Sequence, residues 1–79
     1  MRRLLVESSV MRSVGYDASR QILEIAFHSG RIYQYFDVPP EVYRGLLEAA
    51  SKGRYFREHI RPVYRYERLR RRRWGGAIV

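Results

Sequence analysis

The chain has no cysteine. That excludes a disulfide framework and a thiolate metal site, two devices by which small domains make up for a thin core. Its two histidines, His28 and His59, lack the close spacing that metal sites show. No apolar run approaches the roughly 20 residues of a membrane span. Met1–Val6, with its two arginines, is too short for a signal peptide. We therefore expect a cytoplasmic protein with no membrane partner. Ser8 and Ser9 have no nucleophile elbow around them, and Asp17, Glu24 and Glu41 are spread over separate elements. Nothing assembles a reacting constellation, so we expect neither catalysis nor a cofactor.

Lysine is nearly absent too. Of 16 basic residues, 15 are arginine and only Lys52 is lysine. Arginine makes bidentate contacts with phosphate and stacks on flat rings, so this bias says more about partners than the net charge of +8 does. The charge is uneven. Residues 1–67 carry 11 basic and 8 acidic side chains, a net +3, and residues 68–79 add five arginines and no acid.

With 79 residues the chain makes one small domain, which buries only about 60% of its unfolded surface. Seven tyrosines, three phenylalanines and one tryptophan are then needed for packing. Period-two patterning predicts a first strand around Val10–Tyr16, with Val10, Arg12 and Val14 opposite Met11, Ser13 and Gly15. After a turn at Asp17-Ala18-Ser19, Gln21–His28 reads as a second strand with Leu23, Ile25 and Phe27 on one face. Arg31–Phe36 is a third, by its β-branched and aromatic content.

The loop between the second and third strands decides where Tyr33 and Tyr35 point. A two-residue loop at Ser29-Gly30 pairs Phe27 with Ile32 and turns both tyrosines away from the apolar face. A three-residue loop, His28-Ser29-Gly30, pairs Ile25 with Tyr33 and Leu23 with Tyr35, and brings both rings to the core side. The second register suits a chain this small, which needs its rings inside.

Val38-Pro39-Pro40 breaks the strand, and Pro40 and Glu41 suit the first turn of a helix running to Ala50. Ser51-Lys52-Gly53 reads as its end. A short second helix is expected over Arg54–Ile60, stopped by Pro62, and Val63–Leu69 alternates in a way that fits a further strand or a packed extension. The expected core is Leu23, Ile25, Phe27, Val42, Leu46 and Ile60. The fold class is α+β: a small antiparallel β-meander packed on one main helix, followed by a short second helix and a basic C-terminal tail. Residues 1–67 form the domain, and residues 68–79 are expected to be a mobile tail with little to pack on.

The order Ser8-Ser9, Val14-Gly15-Tyr16-Asp17, Leu23-x-Ile25-x-Phe27, Gly30, Tyr33-x-Tyr35, Val38-Pro39, Ala50-Ser51-Lys52-Gly53-x-Tyr55-Phe56 and Ile60-Arg61 resembles the KTSC domain. That family is named for the C-terminal domain of some lysyl-tRNA synthetases and also occurs as stand-alone small bacterial proteins. The likeness covers about residues 6–66 and includes the tyrosine pair. It implies RNA as a partner, through the synthetase connection, and supplies no catalytic residues.

Two groups of cations point the same way. Arg70, Arg71, Arg72 and Arg73 precede Trp74, and nucleic-acid binders combine cations for phosphate with flat rings for unpaired bases. Lys52, Arg54, Arg57 and Arg61 form the second group, the arginines at i, i+3 and i+7 along one face of the expected second helix. Tyr33 and Tyr35 read either as a stacking platform on a strand or as core. The expected function is a non-catalytic nucleic-acid-binding module, for RNA before other polyanions, with low sequence specificity because cationic contacts do not read sequence. The competing reading is a protein-interaction module, on an acidic partner or as a homodimer, using an open sheet edge.

Overall fold

The structure, a computed structural model, describes residues 3–6 and 8–69. Five strands form one antiparallel sheet in chain order: β1 (Arg3–Leu5), β2 (Met11–Asp17), β3 (Ile22–Phe27), β4 (Ile32–Tyr35) and β5 (Tyr66–Leu69). Between β4 and β5 lie α1 (Pro40–Glu48) and α2 (Lys52–Tyr55), the latter running directly into a π-helical turn, Phe56–Ile60. The meander is thus wider than the expected three strands. Arg68 and Leu69, expected in the tail, belong to β5, and residues 70–79 lie outside the described residues. Among the described residues no helix is long and apolar enough to cross a membrane.

The β3–β4 hairpin takes the three-residue register. Leu23 pairs with Tyr35 and Ile25 with Tyr33. Gly30 has φ +94°, and its N–H donates to the Phe27 carbonyl at 2.9 Å. This is the left-handed corner that a side chain rarely adopts. Both tyrosines therefore share a face with Leu23 and Ile25.

In β2 the plain alternation fails. The register slips between Met11 and Ser13, so Met11 pairs with Phe27 while Ser13 pairs with Ala26. Arg12 is the extra residue of this bulge and faces solvent, which turns both Met11 and Val14 into the core. Val10, expected beside Val14 on one face, lies before the strand. At the far end of β2, Asp17 shapes the turn into β3. Its carboxylate accepts from the Ser19 N–H (3.1 Å), the Ser19 hydroxyl (2.7 Å) and the Arg20 N–H (3.3 Å).

Pro40 opens α1 as expected, with Glu41 in the first turn. The helix stops at Glu48, and Ser51-Lys52-Gly53 starts the next helix instead of closing this one. The reason is local: the Ser51 hydroxyl accepts the Arg54 N–H at 3.3 Å, an N-cap. In the π turn, the Arg61 N–H reaches back five residues to the Phe56 carbonyl at 2.9 Å. Helices and sheet close over Met11, Val14, Leu23, Ile25, Tyr35, Val38, Leu46, Phe56 and Ile60. Phe27 and Val42, expected in the core, are only partly buried and pack against its margin. Tyr16 stacks on Tyr43 with centroids 4.7 Å apart and donates its hydroxyl to the Val38 carbonyl, tying the sheet to the entry of α1.

Among the described residues the opposite face of the sheet carries no helix. There Arg3, Gly15, Glu24, Gln34 and Glu67 line up across the strands. Glu24 accepts from Gln34 Nε2 at 3.0 Å and pairs with Arg3 at 3.4 Å.

Candidate functional site

Phe56 packs over β3 and β4, and beyond it the helical layer leaves part of the sheet uncovered. A cleft of about 480 Å³ opens there. Its floor is aromatic. Phe27 meets Tyr33 (centroids 5.6 Å apart) and Phe56 (5.5 Å) edge-on, Tyr35 meets Phe56 edge-on (5.5 Å), and Tyr66 meets Tyr33 edge-on (5.5 Å). Edge-to-face geometry satisfies the ring quadrupoles and fixes the rings against one another. Arg31 and Arg61 stand at the rim with His28, Ser9 and Ser29. The hairpin register brings Tyr33 and Tyr35 here, and strand pairing puts Tyr66 opposite Tyr35.

The rings play different parts. Tyr35 is 2% exposed and is structural. Tyr33 is half-buried, and Tyr66, on the outermost strand, is 53% exposed, so part of its ring is open to solvent. His28 Nε2 donates to the Ser8 carbonyl at 2.9 Å, and the His28 N–H donates to the Val10 carbonyl at 3.0 Å. These bonds pin the Ser8–Val10 segment as one wall of the cleft.

The arginine ridge expected along the second helix is divided. The π turn changes the angular spacing, so positions i, i+3 and i+7 no longer share a face. Arg54 Nε pairs with Glu58 at 3.1 Å. Arg57 and Lys52 line a smaller groove beside the cleft, and Arg61 alone of the four reaches the cleft. Arg70, Arg71, Arg72, Arg73 and Trp74 lie outside the described residues. Sequence reasoning missed Phe27, Phe56, Tyr66, Arg31 and His28 as partners in one site. His59 packs against Tyr55, centroids 4.6 Å apart. Among the described residues no three His, Asp or Glu side chains group as a metal site.

Burial raises the Tyr35 phenol well above its ordinary value; Tyr33 and Tyr66 add to this and Arg61 opposes it. Burial likewise raises Tyr16, helped by Glu41 and Asp17, and raises Tyr43. A folded-state value above the unfolded value means stability that is fully present below about pH 10 and lost as pH climbs through the raised values. The melting temperature should therefore fall steeply on the alkaline side, in step with tyrosinate absorbance, and Tyr35→Phe should flatten that fall. A melting temperature that holds steady from about pH 9 to about pH 11 would contradict this account.

Comparison with known proteins places the fold. The sequence profile of the KTSC domain matches residues 7–64. The chain belongs to the KTSC domain family. An uncharacterised protein of Stutzerimonas stutzeri is 51% identical over 70 residues, covering 87% of this chain and 99% of its own length. A crystal structure of a KTSC domain protein from Yersinia pestis superposes with a TM-score of 0.83 at 36% identity, covering 87% of this chain and 97% of that one. A lysine–tRNA ligase of Nostoc punctiforme is 41% identical over 63 residues, which is 80% of this chain but only 11% of the ligase. The KTSC match takes in β2 through the π turn, and so most of the residues that build the cleft; Tyr66 lies just past it.

Proposed function

We propose that this KTSC domain is a non-catalytic module that binds single-stranded RNA with low sequence specificity. One observation carries the reading: an open cleft floored by aromatic rings, with Arg31 and Arg61 at its rim. Stacking of a base on an aromatic ring contributes about 1–3 kcal/mol and tolerates any base. It requires bases that are not already paired, which favours single strands over duplexes. Arginine at the rim supplies phosphate contacts that hold the strand without reading it. RNA rather than DNA is favoured because a segment like this chain forms 11% of a lysine–tRNA ligase. The run Arg70–Arg73 with Trp74 adds charge and a further ring to the same task.

Fluorescence anisotropy on the 79-residue protein, with single-stranded RNA, duplex RNA, duplex DNA and heparin across a salt series, tests this. Single-stranded RNA should bind tightest. Tyr66→Ala should weaken it by about 1–3 kcal/mol while leaving heparin unchanged. Arg61→Ala should lower the slope of log affinity against log salt by about 0.7. Equal, salt-labile binding to all four polyanions, indifferent to Tyr66→Ala, would mean generic charge attraction and would sink the proposal.

A second reading rests on β1. It has a neighbour on one side only among the described residues, and Leu5 and Leu4 are 83% and 49% exposed. An open edge with exposed leucines suits pairing with another strand. Sedimentation that stays monomeric at high protein concentration would exclude self-association through it.

A further inference from the structure

The smaller groove lies directly beside the aromatic cleft, and the two share Ser9 and Val10 as a common wall. We infer that they form one continuous site for a dinucleotide step, in which a base occupies the cleft and the adjoining phosphate is held in the groove by Arg57 and Lys52. The inference rests on the RNA-binding reading and adds a footprint and a polarity of contacts to it.

The groove, about 290 Å³, is suited to an anion by its chemistry. Its described lining holds two cations and no carboxylate. Lys52 Nζ donates to the Ala49 carbonyl at 3.1 Å, which steadies the ammonium there and leaves two of its protons to give. The serine hydroxyls are poised as donors. Ser8 Oγ already accepts the N–H groups of Val10 (3.1 Å) and Met11 (3.2 Å), and Ser51 Oγ accepts that of Arg54. With both lone pairs of Ser8 Oγ and one of Ser51 Oγ engaged, their O–H protons are free to be offered to a ligand.

Gly53 is a separate indication. It lies in the first turn of α2, and its φ is not positive, so no turn requires it. A Cβ there would meet Val10 Cγ2 at 3.2 Å and Arg57 Nη1 at 3.5 Å. The missing side chain thus lets Val10, in the shared wall, close in on the helix, while the Arg57 guanidinium lies within van der Waals reach of the same spot. Among the described residues, the salt bridges involve Arg3, Arg20, Arg54 and His59 and not Arg57, so its fork is available to a phosphate.

The test is an NMR titration of the full chain with uridine, with the dinucleotide UpU, and with UpU carrying a neutral methylphosphonate link. UpU should shift signals in both the cleft (Tyr33, Tyr66) and the groove (Gly53, Arg57) and bind about tenfold tighter than uridine. The gain should vanish with the neutral link, and also in Arg57→Gln, which keeps the stem and removes the fork. If UpU binds no better than uridine and moves only cleft signals, the groove is not part of the site and the inference falls while RNA binding stands. If the gain persists with the neutral link, it is not a phosphate contact and the inference falls again. If longer single-stranded RNA also leaves every signal unmoved, the RNA-binding reading falls with it.

Discussion

Replacing Tyr35 with alanine is expected to remove about 3–5 kcal/mol of stability, the range for truncating a large buried aromatic. Tyr35 is 2% exposed. Its ring joins the helical layer to the sheet: it meets Phe56 and Tyr66, each at 5.5 Å, and Tyr33 at 6.4 Å, and its backbone pairs with Leu23. No neighbouring strand can fill the gap, because β4 is fixed between β3 and β5. Domains are stable by about 5–15 kcal/mol, and one this small belongs near the lower end. The variant should therefore lose most of its cooperative transition in urea, followed by circular dichroism. Tyr35→Phe keeps the ring and should cost less than about 1.5 kcal/mol. If Tyr35→Ala unfolds cooperatively with a midpoint close to that of the parent, the aromatic cluster is not what holds the two layers together.

The same residue shows how far the sequence could be read. Tyr33 and Tyr35 had two registers open to them, and local pattern alone did not separate these. The need of a short chain to bury its rings did, and Gly30 at φ +94° is the backbone consequence. The α+β class, α1 with its Pro40 start and the central β3–β4 hairpin were legible because each has a local cause. The outer strands were less so. β1 is a three-residue, wholly exposed strand with no periodic apolar signal. The alternation over Val63–Leu69 fitted a further strand or a packed extension, and β5, exposed along its length, is the strand. Both outer strands form because β2 and β4 present unpaired edges to them. The bulge at Arg12 was invisible, since one inserted residue reverses the phase that alternation assumes.

For the site, the sequence supplied ingredients without their arrangement. Tyr33 and Arg61 were named and do line the cleft, yet the reason they meet is tertiary. A regular α-helix through Arg54–Ile60 would have aligned Arg54, Arg57 and Arg61. The π turn instead gives Arg54 to Glu58, Arg57 to the groove and Arg61 to the cleft. No one-dimensional spacing rule signals a hydrogen bond that skips back five residues. Phe27, Phe56 and Tyr66 come from three elements, so only the folded sheet makes them one floor.

Gly45 offers the second large effect, and its sign runs against intuition. Gly45 lies within α1, where replacement by alanine should by helix propensity alone stabilise by about 1 kcal/mol. Space opposes this. A Cβ at Gly45 would lie 2.8 Å from Tyr55 Cζ and 3.1 Å from Tyr55 Cε2, with the hydroxyl closer still. Swinging the ring aside would break its packing at the core margin and its contact with His59, 4.6 Å between centroids. Overpacking of this kind costs about 1–3 kcal/mol, and overlap with the Tyr55 hydroxyl and Cζ, beside a tight contact to Cε2, puts it at the upper end, so the clash outweighs propensity. Gly45→Ala should lower stability by about 2 kcal/mol net. Adding Tyr55→Ala removes the obstacle and lets the propensity gain show, so in a double-mutant cycle Gly45→Ala should be destabilising in the parent and stabilising in the Tyr55→Ala background. If Gly45→Ala raises the melting temperature of the parent, α1 and α2 are free to part at this contact, and the close approach across Gly45 is incidental to the fold.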